Sequence, residues 1–135
     1  DSEGRFLELL AAHYGNQQRL GVVHCFSGSA AEMNAYLEMG FYIGITGILT
    51  IKTRGKQLRA LVRQIPQDRM VIETDAPFLT PSPEKNHNRR NEPAFVRSVL
   101  FKLADVLGSD PQALADTLWI NTCRLYQIPE DSHNN

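Results

Sequence analysis

The sequence predicts an α/β domain in which three parallel strands alternate with flanking helices. Short apolar runs and helical patterns follow one another at roughly 20 to 30 residues per repeat, which is typical of consecutive βα units. A chain of 135 residues with 42% hydrophobic residues is long enough for one packed domain. The last predicted strand ends in Glu73 and Asp75, which share one face because strand side chains alternate. Parallel α/β enzymes place their chemistry at such strand ends.

The first half of the chain contains two predicted helices and two predicted strands. Apolar residues at helical spacing over residues 6–14 predict a first helix, which Gly15 ends. Residues 20–26 and 41–45 are short apolar runs with β-branched and aromatic residues, and they predict the first two strands. Between them, Ser29 followed three residues later by Glu32 is a capping box that begins a second helix.

The second half continues the same alternation and then ends in helices. Residues 58–65 have helical spacing before Pro66, and residues 70–74 form the third predicted strand. A long loop over residues 76–91 follows, and loops of this length are usually functional. Two final helices are predicted, one capped by Asn91 and one beginning at Asp110, with a break at Gly108.

Composition limits the classes of partner and the compartment. The formal net charge of -1 gives no overall attraction to nucleic acid, so any such contact must come from a local basic patch. Cys25 and Cys123 match no zinc-binding or disulfide spacing, which indicates two buried thiols in a reducing compartment. The sequence has neither a signal peptide nor an apolar run of membrane length, so we expect a cytoplasmic protein with no membrane partner.

His24 and Asp75 are the candidate metal ligands. Both follow a predicted parallel strand, and the carboxyl ends of parallel strands meet at one edge of the sheet. Imidazole and carboxylate groups bind zinc, manganese or iron. Taken alone, His24 could instead be a half-buried histidine bonded to a backbone carbonyl, and Asp75 could be a turn residue. A thiol nucleophile at Cys25 is disfavoured because adjacent strand residues face opposite sides.

The long loop carries basic and aromatic residues, and the sequence allows two roles for each kind. Guanidinium and ammonium groups there could bind phosphate, or the segment could be a solvated loop. Phe78 could stack on a nucleotide base or lie buried under the loop. The basic residues concerned are Lys85, His87, Arg89 and Arg90.

Four motifs in register resemble the TatD family of metal-dependent deoxyribonucleases. They are VHCFSG at residues 23–28, YIGITG at 42–47, IETDAP at 72–77 and RRNEP at 89–93, and the end of the chain also resembles this family at residues 121–126. The resemblance implies the C-terminal part of a TIM-type (β/α)8 barrel of the amidohydrolase kind. It also implies cleavage of DNA phosphodiester bonds with one or two divalent ions, magnesium, manganese or zinc.

The resemblance assigns a role to individual residues. His24 is similar to the metal-binding histidine of the sixth strand, and Asp75 to the aspartate of the eighth strand, which we expect to be both a ligand and the catalytic residue. Arg89 and Arg90 are expected to bind the substrate phosphate. Glu73 and Glu92 match the family's motifs and are expected to support the ligands.

Several motifs of the family have no counterpart in this chain. The paired histidines, the mid-chain glutamate and the fifth-strand His-x-Arg are absent from the sequence. Residues 1–135 therefore resemble the family's C-terminal half from the fifth helix onward, with a flexible tail at 129–135. With two ligands instead of the usual three or so, we expect weak metal binding and poor DNA cleavage by this chain. Its expected partners are DNA and either the missing N-terminal barrel half or a second copy that pairs through exposed strand edges.

Two other functions remain open at this stage. An amidohydrolase-type barrel could hydrolyse a small ester, lactone or amide at the same metal site. Alternatively, the chain could be a non-catalytic, truncated α/β domain.

Overall fold

A computed structural model describes residues 4–14, 20–85 and 90–129 of the chain. These residues form six α-helices and three strands, which alternate as far as the third strand, with short 3-10 helices at Gly47–Thr50, Val62–Gln64, Gln67–Arg69 and Pro93–Phe95. In chain order the elements are α1 (Arg5–Tyr14), β1 (Val22–Val23), α2 (Ala30–Glu38), β2 (Tyr42–Ile45), α3 (Lys56–Leu61), β3 (Met70–Ile72), α4 (Ser82–Lys85), α5 (Val96–Leu107) and α6 (Pro111–Tyr126).

The three strands form one parallel sheet in the order β1-β2-β3, as predicted. Val23 pairs with Ile43, and Ile43 pairs with Met70, so these residues share one face of the sheet. That face packs into the main core, where Ile43 and Met70 are fully buried. The opposite face carries a small cluster made by Val22, Tyr42, Val71 and Leu125. Alternation along each strand extends this second face to His24, Gly44 and Glu73.

Helices close the domain around the main core. The helix α2 packs against β2, and α5 packs against α6 and the 3-10 helix at Gly47–Thr50. The helix α6 packs against β3, where buried Asn121 donates hydrogen bonds to the carbonyls of Met70 (2.8 Å) and Gln67 (2.7 Å). Asn121 therefore ties the last helix to the strand that leads into Glu73 and Asp75.

Most predicted elements are confirmed, and so are three of the predicted helix ends. Ser29 and Glu32 form the capping box at the start of α2. Asp110 caps α6 through the N–H of Ala113, and Gly108 ends α5 in the left-handed conformation. The predicted helix over residues 58–65 is shorter, since α3 ends at Leu61 and continues as a 3-10 helix.

The strands β1 and β3 end two or more residues earlier than predicted, because the chain turns just after each of them. Cys25 has a φ of 51° and Asp75 a φ of 57°, both in the left-handed region that is costly for non-glycine residues. Backbone pairing still continues beyond β1, since the N–H of Phe26 bonds to the carbonyl of Gly44 at 3.1 Å. The two strand ends that carry the candidate ligands therefore turn sharply.

Two further expectations need correction. Asn91 does not cap α5, which begins at Val96 after the 3-10 helix at Pro93–Phe95. The amide of Asn91 bonds backward to the loop instead, because two carbonyls there lie within its reach. Cys123 is buried as expected, but Cys25 is only half-buried because it lies at a turn.

Some expectations concern residues outside the described ranges. These are the end of the first helix at Gly15, the basic residues His87 and Arg89, and the tail beyond Pro129. Within the described ranges, no helix combines the length and apolar character needed to cross a membrane.

Candidate metal centre

His24, Glu73 and Asp75 meet where β1 and β3 end. The Nδ1 atom of His24 lies 2.8 Å from Oε2 of Glu73, and its Nε2 atom lies 2.9 Å from Oδ1 of Asp75. One ligand atom from each of the three residues lies within 4.8 Å of the other two. The predicted convergence of His24 with Asp75 is therefore seen, and Glu73 joins them because it shares their face of the sheet.

The donor set suits a divalent cation. One imidazole and two carboxylates are ligands that zinc and manganese accept. Within the described residues, His24 is the only basic group that pairs with either carboxylate, so the cluster keeps an excess of negative charge. The imidazole side chain is 65% exposed, whereas the carboxylate side chains of Glu73 and Asp75 are 20% and 13% exposed. A cation from solvent can therefore reach the imidazole, and the carboxylates of Glu73 and Asp75 lie beside it.

Glu73 is held from two sides and in turn holds His24. Its Oε1 atom accepts the backbone N–H of Cys25 at 2.5 Å, while Oε2 lies at hydrogen-bond distance from Nδ1 of His24. The hydrogen bond to Glu73 is the main cause that raises the pKa of His24 above 6.5. A carboxylate on Nδ1 fixes the orientation of a histidine ring, and an ion held by His24 and Asp75 would bind Nε2 in place of its 2.9 Å contact with Oδ1 of Asp75.

Gly44 in the middle strand makes room for this carboxylate. A Cβ atom at position 44 would lie 2.6 Å from Oε1 of Glu73 and 2.9 Å from its Cδ atom. Those distances are shorter than real Cβ contacts, so only glycine lets the carboxylate lie flat against β2. Gly44 belongs to the motif YIGITG at residues 42–47, from which no role for this glycine was predicted. A glycine in a strand interior, beside two strands that end in ligands, is the signal that was available.

Cys25 is not an activated nucleophile. Burial is the main cause that raises its pKa to about 11, and the nearby Asp75 carboxylate adds to it. Its Sγ atom contacts Oγ1 of buried Thr46 at 3.7 Å. A thiol with so high a pKa carries little thiolate near neutral pH, which agrees with the expectation from the sequence.

The turn after β3 is clamped by Asn91, whose side chain is buried. Its Nδ2 atom donates to the carbonyl of Thr74 at 2.5 Å and to that of Phe78 at 2.6 Å. The Asn91 N–H also bonds to the carbonyl of Pro77 at 3.1 Å. This asparagine therefore fixes both ends of the turn that contains Asp75, a role that sequence analysis missed because Asn-x-Pro is equally typical of a helix start.

The predicted phosphate-binding residues lie close to this turn or outside the described residues. Arg90 is exposed and lines a cavity of about 380 Å³ together with Ala76, Pro77 and Glu92. Arg89 lies outside the described ranges. Glu92 is exposed and does not belong to the group of three metal donors, so its supporting role stays a prediction.

Comparisons with known proteins agree with this picture. A curated relative, the 3'-5' ssDNA/RNA exonuclease TatD of Rahnella sp. (strain Y9602), is 46% identical over 110 residues, which cover 80% of this chain and 42% of that protein. The protein of the same name from Citrobacter rodentium is 44% identical over 131 residues, covering 95% of this chain and 49% of the relative. The chain thus spans about half the length of the curated relatives it matches.

Solved structures show the same fold. The TatD homologue YJJV from Escherichia coli K12 superposes with a TM-score of 0.78 at 28% identity, covering 93% of this chain and 48% of that one. A TatD family hydrolase from Entamoeba histolytica also gives a TM-score of 0.78, at 24% identity, and shows the fold alone. The α/β fold is therefore that of the amidohydrolase-like TIM barrel. Because the model of the "TatD related DNase" family matches residues 1–127, this chain belongs to that family.

Proposed function

We propose that this chain contributes a metal centre to a nuclease that hydrolyses phosphodiester bonds of single-stranded nucleic acid. The observation that carries the proposal is the meeting of His24, Glu73 and Asp75 at the ends of β1 and β3, with ligand atoms within 4.8 Å of one another. Curated relatives named 3'-5' ssDNA/RNA exonuclease support the choice of substrate. The family is metal-dependent, and magnesium, manganese and zinc are the ions we propose.

Each of the three residues has a distinct task in this proposal. His24, through Nε2, and Asp75 would hold a divalent ion, and Glu73 keeps the imidazole oriented through Nδ1. When bound, such an ion lowers the pKa of a coordinated water and stabilises charge on phosphate oxygens. The carboxylate of Asp75 orients the attacking water and accepts its proton.

Basic residues near the turn position the phosphate. Arg90 lies beside Pro77, two residues beyond Asp75, and its planar guanidinium can form paired hydrogen bonds with phosphate oxygens. We propose Arg90 and Arg89 as phosphate-binding residues. Neutralising Arg90 as Arg90→Gln should weaken oligonucleotide binding and reduce its salt dependence, whereas hydrolysis of a neutral ester probe should not change. This comparison separates a nuclease from a hydrolase of small esters, lactones or amides.

Metal-dependent cleavage tests the proposed function directly. The purified chain is incubated with an end-labelled single-stranded DNA oligonucleotide and Mn²⁺, and products are resolved by length. We expect slow cleavage that EDTA abolishes, and we expect Asp75→Asn and His24→Gln to abolish it as well. Asp116→Asn is the matched control, because Asp116 is an exposed residue on α6 outside the group of metal donors. Cleavage that persists in Asp75→Asn, or no cleavage at all with Mn²⁺ present, would contradict the proposal.

The boundaries of the chain within the family are a separate proposal. We propose that residues 1–135 correspond to the C-terminal half of a TatD-like barrel, supported by a coverage of about half of each curated relative. Weak metal binding by the chain alone follows, because catalytic sites usually have about three protein ligands to the ion. A Mn²⁺ titration followed by electron paramagnetic resonance measures this affinity. Tight binding, together with rapid steady cleavage, would refute the idea that further ligands are needed.

A further inference from the structure

A second cleft begins one turn beyond Asp75. It has a volume of about 480 Å³, and Phe78, Arg54 and Lys85 line it together with Ile51 and Leu79. Phe78 is 73% exposed, the largest exposure among the exposed large hydrophobic residues that the structure describes. The sequence allowed Phe78 either to stack on a base or to lie buried under the loop. Its exposure excludes burial under the loop.

The exposure of Phe78 is built into the loop. The N–H of Phe78 bonds to the carbonyl of Asp75 at 2.7 Å, and its carbonyl accepts the amide of buried Asn91. On the next residue, the carbonyl of Leu79 lies against Gly47, where a Cβ atom would approach it to 2.4 Å. The backbone on both sides of the ring is therefore held in place, and from it the ring projects to the surface. A ligand that covers this exposed ring would gain the free energy of removing apolar surface from water.

The charge around the ring identifies the ligand class. Two basic side chains, Arg54 and Lys85, line the cleft, and none of the described residues that line it is acidic. Among the residues that the structure describes, neither forms an ion pair, whereas Arg5, Arg69 and Lys102 each pair with a nearby acid. An exposed aromatic ring that shares a cleft with cations is an arrangement with which proteins bind single-stranded nucleic acid, the ring under a base and the cations near phosphates.

We propose that this cleft is a nucleotide-binding subsite in which Phe78 stacks on a base of the substrate strand and Arg54 and Lys85 contact its phosphates. The inference deepens the proposed nuclease function and rests on it for the direction of the strand toward Asp75. Since Phe78 and Asp75 belong to one hydrogen-bonded turn, a strand stacked on the ring passes directly to the metal centre. Stacking tolerates any base, so the subsite gives affinity without sequence preference.

The test measures binding in EDTA, so that cleavage plays no part. A fluorescently labelled oligothymidylate is titrated with wild-type chain and with Phe78→Ala, and the same titration is run with an oligomer of equal length made of abasic sites. We expect Phe78→Ala to weaken binding of oligothymidylate by about 5- to 140-fold, the range given by alanine substitution at stacking positions. Binding of the abasic oligomer should not change. Phe78→Trp should bind oligothymidylate as tightly as wild type, whereas Phe78→Leu should bind it more weakly.

Matched variants separate stacking from charge. Phe101→Ala is the control for Phe78, because Phe101 is an exposed phenylalanine on α5 and Arg97 lies 5.1 Å from its ring centre. Arg54→Gln and Lys85→Gln should weaken binding of both oligomers, and each should reduce the slope of log affinity against log salt by about 0.7. Lys56→Gln, at an exposed position on α3 outside the cleft, is the control for charge.

The possible outcomes distinguish this subsite from the proposed activity. Equal affinities of wild type and Phe78→Ala for oligothymidylate would refute the subsite, even if metal-dependent cleavage that needs Asp75 is seen. A loss of affinity for both oligomers in Phe78→Ala would also refute stacking, because a base-free strand offers no ring to stack on. Conversely, a Phe78-dependent affinity in a chain that never cleaves DNA would support the subsite and contradict the nuclease proposal.

Discussion

Substitution of Gly44 by alanine should disable the candidate metal centre without touching any of its ligands. The added Cβ atom would lie 2.6 Å from Oε1 of Glu73, and ordinary contact begins at 3.4 Å, so the carboxylate has to move by about 0.8 Å. A shift of that size would stretch the 2.8 Å contact with His24 and the 2.5 Å contact with the Cys25 N–H. Both would then exceed the range of ordinary hydrogen bonds, which ends at about 3.2 Å. The imidazole then loses the group that orients it.

The expected magnitude follows from the role of Glu73. Loss of a carboxylate that orients a metal-binding histidine typically lowers metal affinity by about 10- to 100-fold. Folding stability should fall by about 1.5 to 3 kcal/mol for the lost charge-assisted hydrogen bonds, offset by about 0.4 to 1 kcal/mol because alanine restricts the unfolded chain. Mn²⁺ affinity by electron paramagnetic resonance and unfolding in urea measure the two effects separately.

A control and a double substitution make this test decisive. Gly21→Ala also creates a steric conflict, with the ring of Phe41 at 2.8 Å, but it lies away from the ligands. It should reduce stability and leave metal affinity unchanged. Glu73→Gln should weaken Mn²⁺ binding on its own, and adding Gly44→Ala to it should cause little further loss, since both act through one carboxylate. A folded Gly44→Ala variant with wild-type metal affinity, or a Glu73→Gln variant with wild-type affinity, would refute the reasoning.

Two further predictions concern stability. Asn91→Ala should lower the free energy of unfolding in urea by about 2 to 4 kcal/mol, because two carbonyls lose a buried partner. The control Asn34→Ala, on the exposed side of α2, should change this free energy by less than about 0.5 kcal/mol. Equal effects of the two substitutions would contradict the role of Asn91 in holding the turn. The Ser29 N–H and hydroxyl lower the pKa of Glu32 below 4.5, so Glu32 stabilises the fold fully above 4.5 and loses this effect as pH falls through its folded pKa. Wild type should therefore exceed Glu32→Gln in stability near neutral pH, by less than about 1 kcal/mol, and the difference should vanish in acid; a difference that grew on acidification would contradict this assignment.

The fold could be predicted where local chemistry decides it. The capping box at Ser29, the Asp110 cap and the left-handed Gly108 depend on residues within one turn of each other, and all three are confirmed. The predicted ends of β1 and β3 lie too far along the chain, because the turns at Cys25 and Asp75 have left-handed backbone at non-glycine residues. Such conformations are stabilised by tertiary contacts, which a sequence pattern does not contain.

The site was predicted in part for the same reason. His24 and Asp75 could be paired from the sequence because parallel strands all end at one edge of the sheet. Glu73 was correctly placed on the face of Asp75, but its contacts with His24 and the Cys25 N–H depend on the registers of β1 and β3 against β2. The roles of Gly44 and Asn91 depend on contacts with residues 29 and 13 to 17 positions away, and no local pattern distinguishes them from an ordinary strand glycine or helix cap.

The clamp made by Asn91 also sets a spacing along the substrate. Because one side chain holds the carbonyls of Thr74 and Phe78, the backbone of Asp75 and that of Phe78 are tied together. In the proposed complex, a base stacked on that ring therefore presents the same phosphodiester bond to the metal centre in every cycle. The turn would keep a constant distance between the stacked base and the cleaved bond. A strand that advanced by one base after each cut would then release nucleotides of uniform length.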